Sequence, residues 1–128
     1  MHKLFNVSTK AAIYSVNKDK VIVIYMNEIN DHGLPGGHIE ENETPDEAMS
    51  RELLEECGIV PDNLRHTDFF IHSGGKLVLA YTGSSSALEF KSQQNELEGK
   101  PVWLSKDEFV ATRVEKSYRD FVLVNWPK

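Results

Sequence analysis

The sequence predicts one mixed α/β domain: strands first, a helix in the middle, more strands, and helices last. Three observations carry this reading. Two apolar runs, Ala11 to Val16 and Val21 to Met26, flank the polar turn Asn17-Lys18-Asp19-Lys20. Residues 45 to 57 have helical periodicity with a stop signal at each end. A second strand pair, Leu64 to His72 and Lys76 to Thr82, is joined by Ser73-Gly74-Gly75, a hairpin signal.

Taken in order, Ala11 to Val16 reads as a strand, and Val21 to Met26 as a continuous β-branched and aromatic strand buried on both faces. Asn27 to His32 is a polar loop leading into Gly33-Leu34-Pro35-Gly36-Gly37, and His38-Ile39-Glu40 is a short strand. Thr44 is the N-cap of the central helix, Pro45 suits its first position, and Thr44 with Glu47 has capping-box spacing. Cys57-Gly58 marks its exit. Pro61-Asp62-Asn63 is a turn, Gly83 to Ser86 a flexible loop, and Leu88 to Phe90 a further short strand. Pro101 to Leu104 reads as a strand, and Ser105 with Glu108 forms a second capping box that opens a helix to about Ala111. Val114 to Trp126 is a closing helix that turns Tyr118, Phe121, Val122 and Trp126 inward. There is no internal repeat, linker or low-complexity segment.

Composition agrees with a soluble globule. The chain has 128 residues, 40% hydrophobic and 27% charged, and a net charge of -6. Tracking a nucleic-acid backbone wants a basic stripe, so nucleic acid is not the expected partner. An acidic protein that binds an anionic substrate needs a cation between them. One cysteine excludes an internal disulfide and fits a reducing compartment. The N-terminal stretch lacks an apolar core of the signal-peptide kind, and Val21 to Met26 is too short to span a bilayer. The expectation is a cytoplasmic protein with no membrane partner. His32, His38, His66 and His72 show no zinc-ligand spacing.

The central helix carries the chemistry. Projected at roughly 100° per residue, Met49, Leu53, Leu54 and Cys57 form its core face. Glu52, Glu55 and Glu56, at i, i+3 and i+4, gather beside that face, where like charges repel. In an arbitrary helix such a flank is a solvated acidic face. Converging beside buried surface, the same carboxylates suit a hard divalent cation: Mg²⁺ takes oxygen ligands and is commonly shared with substrate phosphates. The neighbours favour the second reading. Gly36-Gly37 allows close approach of backbone to a ligand, and Glu43 and Arg51 flank the acids so that an arginine can orient a carboxylate.

Written as a pattern, G-x5-E-x7-R-E-U-x-E-E-x-G-U with U a bulky aliphatic is filled by Gly37, Glu43, Arg51, Glu52, Leu53, Glu55, Glu56, Gly58 and Ile59. This resembles the signature of the Nudix hydrolases, with no departure at any fixed position. The resemblance implies a mixed β-sheet sandwiched between α-helices. It also implies hydrolysis of a nucleoside diphosphate linked to a moiety X. Similar enzymes bind Mg²⁺, with Mn²⁺ as the alternative, through residues matching Glu52, Glu55 and Glu56, often joined by the carbonyl matching Gly37. Glu52 or a carboxylate outside the motif is the general base. Arg51 orients a glutamate, and Glu43 pairs with Arg51 or caps structure nearby. A further acid often precedes the late tryptophan strand in this family. Glu98, in Glu-Gly-Lys-Pro-Val-Trp, resembles it, with Glu96 the alternative. His38, after the two glycines, is the candidate substrate contact.

The ADP-ribose group carries a proline downstream of the motif where Gly74-Gly75 stand here, and the coenzyme A group has an upstream motif that Asn27 to His32 does not match. The leading expectation is therefore a (d)NTP or oxidised (d)NTP cleaved to NMP and pyrophosphate, with ADP-ribose, nucleotide sugars or dinucleoside polyphosphates as alternatives. Some similar domains are ligand sensors or interaction modules, and those usually lack motif glutamates that this chain retains. Similar proteins are commonly homodimers.

Overall fold

The computed structural model describes residues 6–26, 31–91 and 99–128. Seven strands form one mixed sheet: β1 Val7–Ser15, β2 Lys20–Met26, β3 Asp31–Gly33, β4 Gly36–His38, β5 Asp62–Ile71, β6 Leu77–Ser85 and β7 Lys100–Ser105. The main path runs β3-β2-β1-β6-β5, with β4 on β1 and β7 on β2. β1 and β6 are parallel, Val7 facing Leu77 through Ser15 facing Ser85, and the other pairings between these strands are antiparallel. The sheet forks at β1. Near the turn its neighbour is β2, with Tyr14 opposite Val21, and at its other end β4 takes that edge, with Thr9 opposite Gly37.

The alternating pleat of β1 and β2 feeds two separate cores. Ala11, Ile13, Ile22 and Ile24 point to one face, against Met49, Leu53 and Cys57 of α1 (Pro45–Cys57). Ala12, Tyr14, Val21 and Val23 point to the other, against Phe109 of α2 (Lys106–Ala111) and Tyr118, Phe121 and Val122 of α3 (Lys116–Val124). The sheet is thus sandwiched between helices, and of the run Val21 to Met26 expected to be buried on both faces, Val21 to Ile24 are, while Tyr25 and Met26 are only half-buried. Both capping boxes form, Thr44 with Glu47 and Ser105 with Glu108, and Gly58 ends α1 in the left-handed region.

Several expectations are corrected. β1 begins at Val7 rather than Ala11, because the parallel partner β6 supports its polar start. For the same reason β6 runs on through Gly83-Ser84 to Ser85, where composition suggests a loop. The short strand lies at Gly36–His38 instead of His38 to Glu40, and Asp31 and His32 belong to a strand, β3, that pairs with β2. Leu88 to Phe90 is not a strand; Phe90 instead rests its ring on Trp103, 5.7 Å between centroids. α3 starts at Lys116 because Glu115 caps it, while Val114 bridges to His32. Leu54 is 43% exposed, so the buried stripe of α1 is Ala48, Met49, Leu53 and Cys57.

Candidate active site

The site is assembled where α1 crosses the fork of the sheet. Gly36 sits with φ 140°, and a Cβ there would stand 1.9 Å from the Thr9 carbonyl oxygen, so only glycine lets β4 lie this close to β1. A Cβ on Gly37 would stand 2.7 Å from Glu52 Oε1; the Glu52 carboxylate lies directly over that residue. The Gly36 amide donates to Glu56 Oε1 at 2.6 Å. Glu56 is therefore fastened to the glycine pair from the α1 side, and the Glu52 carboxylate lies against it.

Arg51 arranges the others. Its Nε and Nη2 donate to the two oxygens of Glu43 at 2.6 and 3.2 Å, a bidentate pair. Nη1 reaches Glu52 Oε1 at 3.1 Å and Glu55 Oε2 at 3.3 Å, and Nη2 also holds the His38 carbonyl at 3.0 Å. Glu43 is itself fixed by the Glu40 amide at 2.9 Å. The Arg51 hydrogen bond holds the Glu43 carboxyl below the usual carboxylate range, and the same bond raises the guanidinium. At the helix start the Tyr81 hydroxyl donates to Asp46 at 2.5 Å, tying α1 to β6.

Glu56 has a different environment. Burial pushes its carboxyl up to about 7; the Gly36 amide and the Lys10 charge pull it back, and neighbouring Glu52 pushes it further. Its charge is therefore only partly compensated by the protein. Burial likewise lowers the Lys10 ammonium, against the opposing pull of Glu56.

The structure thus brings together Gly37, Glu43, Arg51, Glu52, Glu55 and Glu56. Among the described residues no three acidic, histidine or cysteine side chains are grouped tightly enough to hold an ion as they stand. Arg51 draws Glu52 and Glu55 to its own side, and Gly36 draws Glu56. The donor set nevertheless suits a hard divalent cation: all carboxylate and carbonyl oxygen, a glycine that leaves room, and a buried carboxyl lacking a full counter-charge. His38 is exposed and reaches the site only through its carbonyl. Glu98, and Glu96 with it, lies outside the described residues. Lys10 and Thr9 were not among the sequence candidates. No spacing in the sequence points to them: Ser8, Thr9 and Lys10 read as a polar stretch ahead of the apolar run that begins at Ala11.

Comparison with known proteins agrees with this fold. The sequence profile of the NUDIX domain matches residues 8–123. A hydrolase of the NUDIX family from Clostridium perfringens superposes with a TM-score of 0.78 at 19% identity, covering 95% of this chain and 96% of that one. The NUDIX domain of Shewanella oneidensis NrtR, solved in complex with ADP-ribose, gives 0.82 at 18% identity over 95% and 86% of the two chains. A MutT NUDIX hydrolase from Burkholderia pseudomallei gives 0.73 at 21% identity over 94% and 98%. Enzymes of this kind generally use divalent metal ions. With its motif complete and its fold matched almost end to end, the chain belongs to the Nudix hydrolase family.

Proposed function

We propose that this enzyme is a Mg²⁺-dependent pyrophosphohydrolase that cleaves a (d)NTP or an oxidised (d)NTP to NMP and pyrophosphate. The observation that carries the reading is the seating of Glu52 and Glu56 on the Gly36-Gly37 backbone, with Glu55 and Arg51 alongside. Glu52, Glu55, Glu56 and the Gly37 carbonyl would hold the cation, with Mn²⁺ able to substitute and Glu98 the candidate further ligand. The ion supplies neutralisation of phosphate oxygens and a more acidic water. Glu52 takes the proton as the water oxygen attacks phosphorus; the anhydride P–O bond breaks and pyrophosphate leaves with that electron pair. Arg51 keeps Glu52 and Glu55 oriented, and Glu43 keeps Arg51 in place.

The triphosphate reading rests on the sequence resemblance to the mutator-type members, and the ADP-ribose held by the Shewanella domain makes that compound the alternative to test. No helix among the described residues is long and apolar enough to cross a membrane, and a soluble nucleotide is the expected partner.

The test is phosphate and pyrophosphate release, with and without Mg²⁺, across (d)NTPs, oxidised (d)NTPs, ADP-ribose, nucleotide sugars and dinucleoside polyphosphates. Mg²⁺-dependent turnover is expected, reduced on the order of a hundredfold or more in Glu56→Gln with folding intact. Near-normal turnover in that variant would remove Glu56 from the site, and ADP-ribose as the best substrate would replace the triphosphate reading.

A further inference from the structure

Four successive carbonyls, from Leu34 to Gly37, are each taken by β1. Lys10 Nζ donates to the carbonyls of Leu34 and Gly36, both at 3.3 Å. The Ala11 amide takes Pro35 at 3.0 Å, and the Thr9 hydroxyl takes Gly37 at 3.3 Å. The Gly36 amide is held from the opposite side by Glu56. Besides the main-chain pairing of β4 with β1, one of these five bonds is main chain to main chain and would exist with any residue other than proline at position 11. The other four depend on side chains, and two belong to Lys10.

Lys10 is half-buried, and an ammonium withdrawn from water is costly unless its charge is used; a strand position that only needed packing would carry an aliphatic residue. Lys10 does touch the α3 side, its ammonium 5.9 Å from the centre of the Tyr118 ring. That contact does not require a charge this close to the glycine pair. The carbonyls do: they belong to alternate peptide planes, and one ammonium bonded to both fixes how the chain turns between Leu34 and Gly37.

We infer that Lys10, assisted by Thr9, is a positioning residue: a clamp that sets the Leu34–Gly37 backbone on which Glu52 and Glu56 are seated. The motif helix brings the acids, and β1 brings the surface that orders them. Without the clamp only the β1–β4 pairing and the Ala11 amide hold this turn, the peptides between Leu34 and Gly36 gain freedom, and the amide to which Glu56 is bonded loses its fixed direction.

The test compares Lys10→Met and Lys10→Arg with the wild type. Amide hydrogen exchange is followed by NMR in the ion-free protein, and dGTP hydrolysis with Mg²⁺ is assayed separately. In Lys10→Met the Gly36 amide is expected to exchange about tenfold faster or more while amides of α2 and α3 are unchanged. Lys10→Arg, which keeps donors at that reach, should return to within about threefold of wild type. In the kinetic arm kcat falls about tenfold or more in Lys10→Met with KM changed less than about twofold. Thr9→Val keeps the shape and removes one donor; should Lys10→Met not fold, faster exchange at Gly36 or Gly37 in Thr9→Val carries the inference. Unchanged exchange at these glycines in a folded variant, acceleration spread evenly over the whole sheet, or a kcat within about twofold of wild type would overturn it. The kinetic arm rests on the proposed activity and the exchange arm does not, so a wild type inert toward dGTP counts against the proposed substrate alone.

Discussion

Helix α1 and the α2–α3 pair cover opposite faces of one sheet, but they are joined to it differently. The α2–α3 face is packed with aromatic residues: Tyr14, Phe109, Tyr118 and Phe121 are buried there, with Phe70 and Trp126 against them. Its hydrogen bonds fix the helices in place: Tyr14 of β1 donates to the Val122 carbonyl of α3 at 2.8 Å, and Arg119 to the carbonyls of Val110 and Thr112. The α1 face has a smaller core, mainly aliphatic around the buried ring of Tyr81, and the flank of its helix is given over to acids held by Arg51 and by the Gly36 amide. The difference teaches which residues answer to stability and which to chemistry. One face answers mainly to changes of volume; the other is expected to answer to small shifts of an oxygen.

The largest expected effect breaks the first face and spares the second. Phe109 is fully buried, so Phe109→Ala leaves a cavity and should cost about 3–5 kcal/mol of stability. Because α2 lies across the sheet from the acids, kcat of the folded fraction should stay near wild type. Chemical denaturation paired with kinetics below the transition checks both halves. A kcat that falls with stability would mean that the two faces are coupled through the sheet.

Most of the α1 face was legible in sequence, and the reason is physical. Thr44, Pro45, Glu47 and Gly58 are local signals, so the helix bounds follow without tertiary knowledge, and the acids on its flank follow from helical angle alone. The strands were less legible where pairing outweighs composition. Polar Val7 to Lys10 and Gly83 to Ser85 are strands because parallel partners hold them, and β3 and β4 exist because β2 and β1 offer free edges. The contribution of Lys10 is of the same kind: it depends on which distant carbonyls β1 meets, and spacing in sequence carries no trace of that. Leu54 shows the limit from the other direction, since a helical projection gives the angle of a residue and says nothing about how far the neighbouring sheet extends.

Adjacent glycines sharpen the comparison within the site. In Gly37→Ala the new Cβ meets the end of a flexible side chain, Glu52 Oε1 at 2.7 Å, which can swing away. Folding should change little, while displacement of that carboxylate by about an ångström should lower turnover on the order of a hundredfold. In Gly36→Ala the Cβ meets the main chain of Thr9 at 1.9 Å with φ at 140°, so this variant should lose stability first. Melting curves and kinetics on the two variants separate the outcomes. Equal loss of stability in both would show that Glu52 is held too firmly to move.

The smallest effect is the pH dependence of the ion-free protein, and it too should belong to one face. The Glu56 carboxyl has an ordinary value of 4.5 and is pushed up to about 7 in the fold. A folded-state value above the unfolded one means that the contribution to stability is fully present below about 4.5 and is lost as pH rises through 7. Other groups behave oppositely. Glu43, Glu108 and Glu115 are held low and change the balance only in acid, while burial of His32 favours its neutral form and adds stability as pH rises toward 6.5. The wild type must therefore be compared with Glu56→Gln, which retains every one of those groups. With a chelator present, wild type should lose about 5 °C or more relative to the variant between pH 5 and pH 8. Saturating Mg²⁺ should erase the loss, since a cation compensates the carboxylate that the protein leaves uncompensated. The α2–α3 tyrosines cannot imitate this, because burial moves Tyr118 up to about 12, well outside the range. A difference between the two proteins that stays constant with pH would place Glu56 in contact with solvent, and the α1 face would then be no less hydrated than any surface helix.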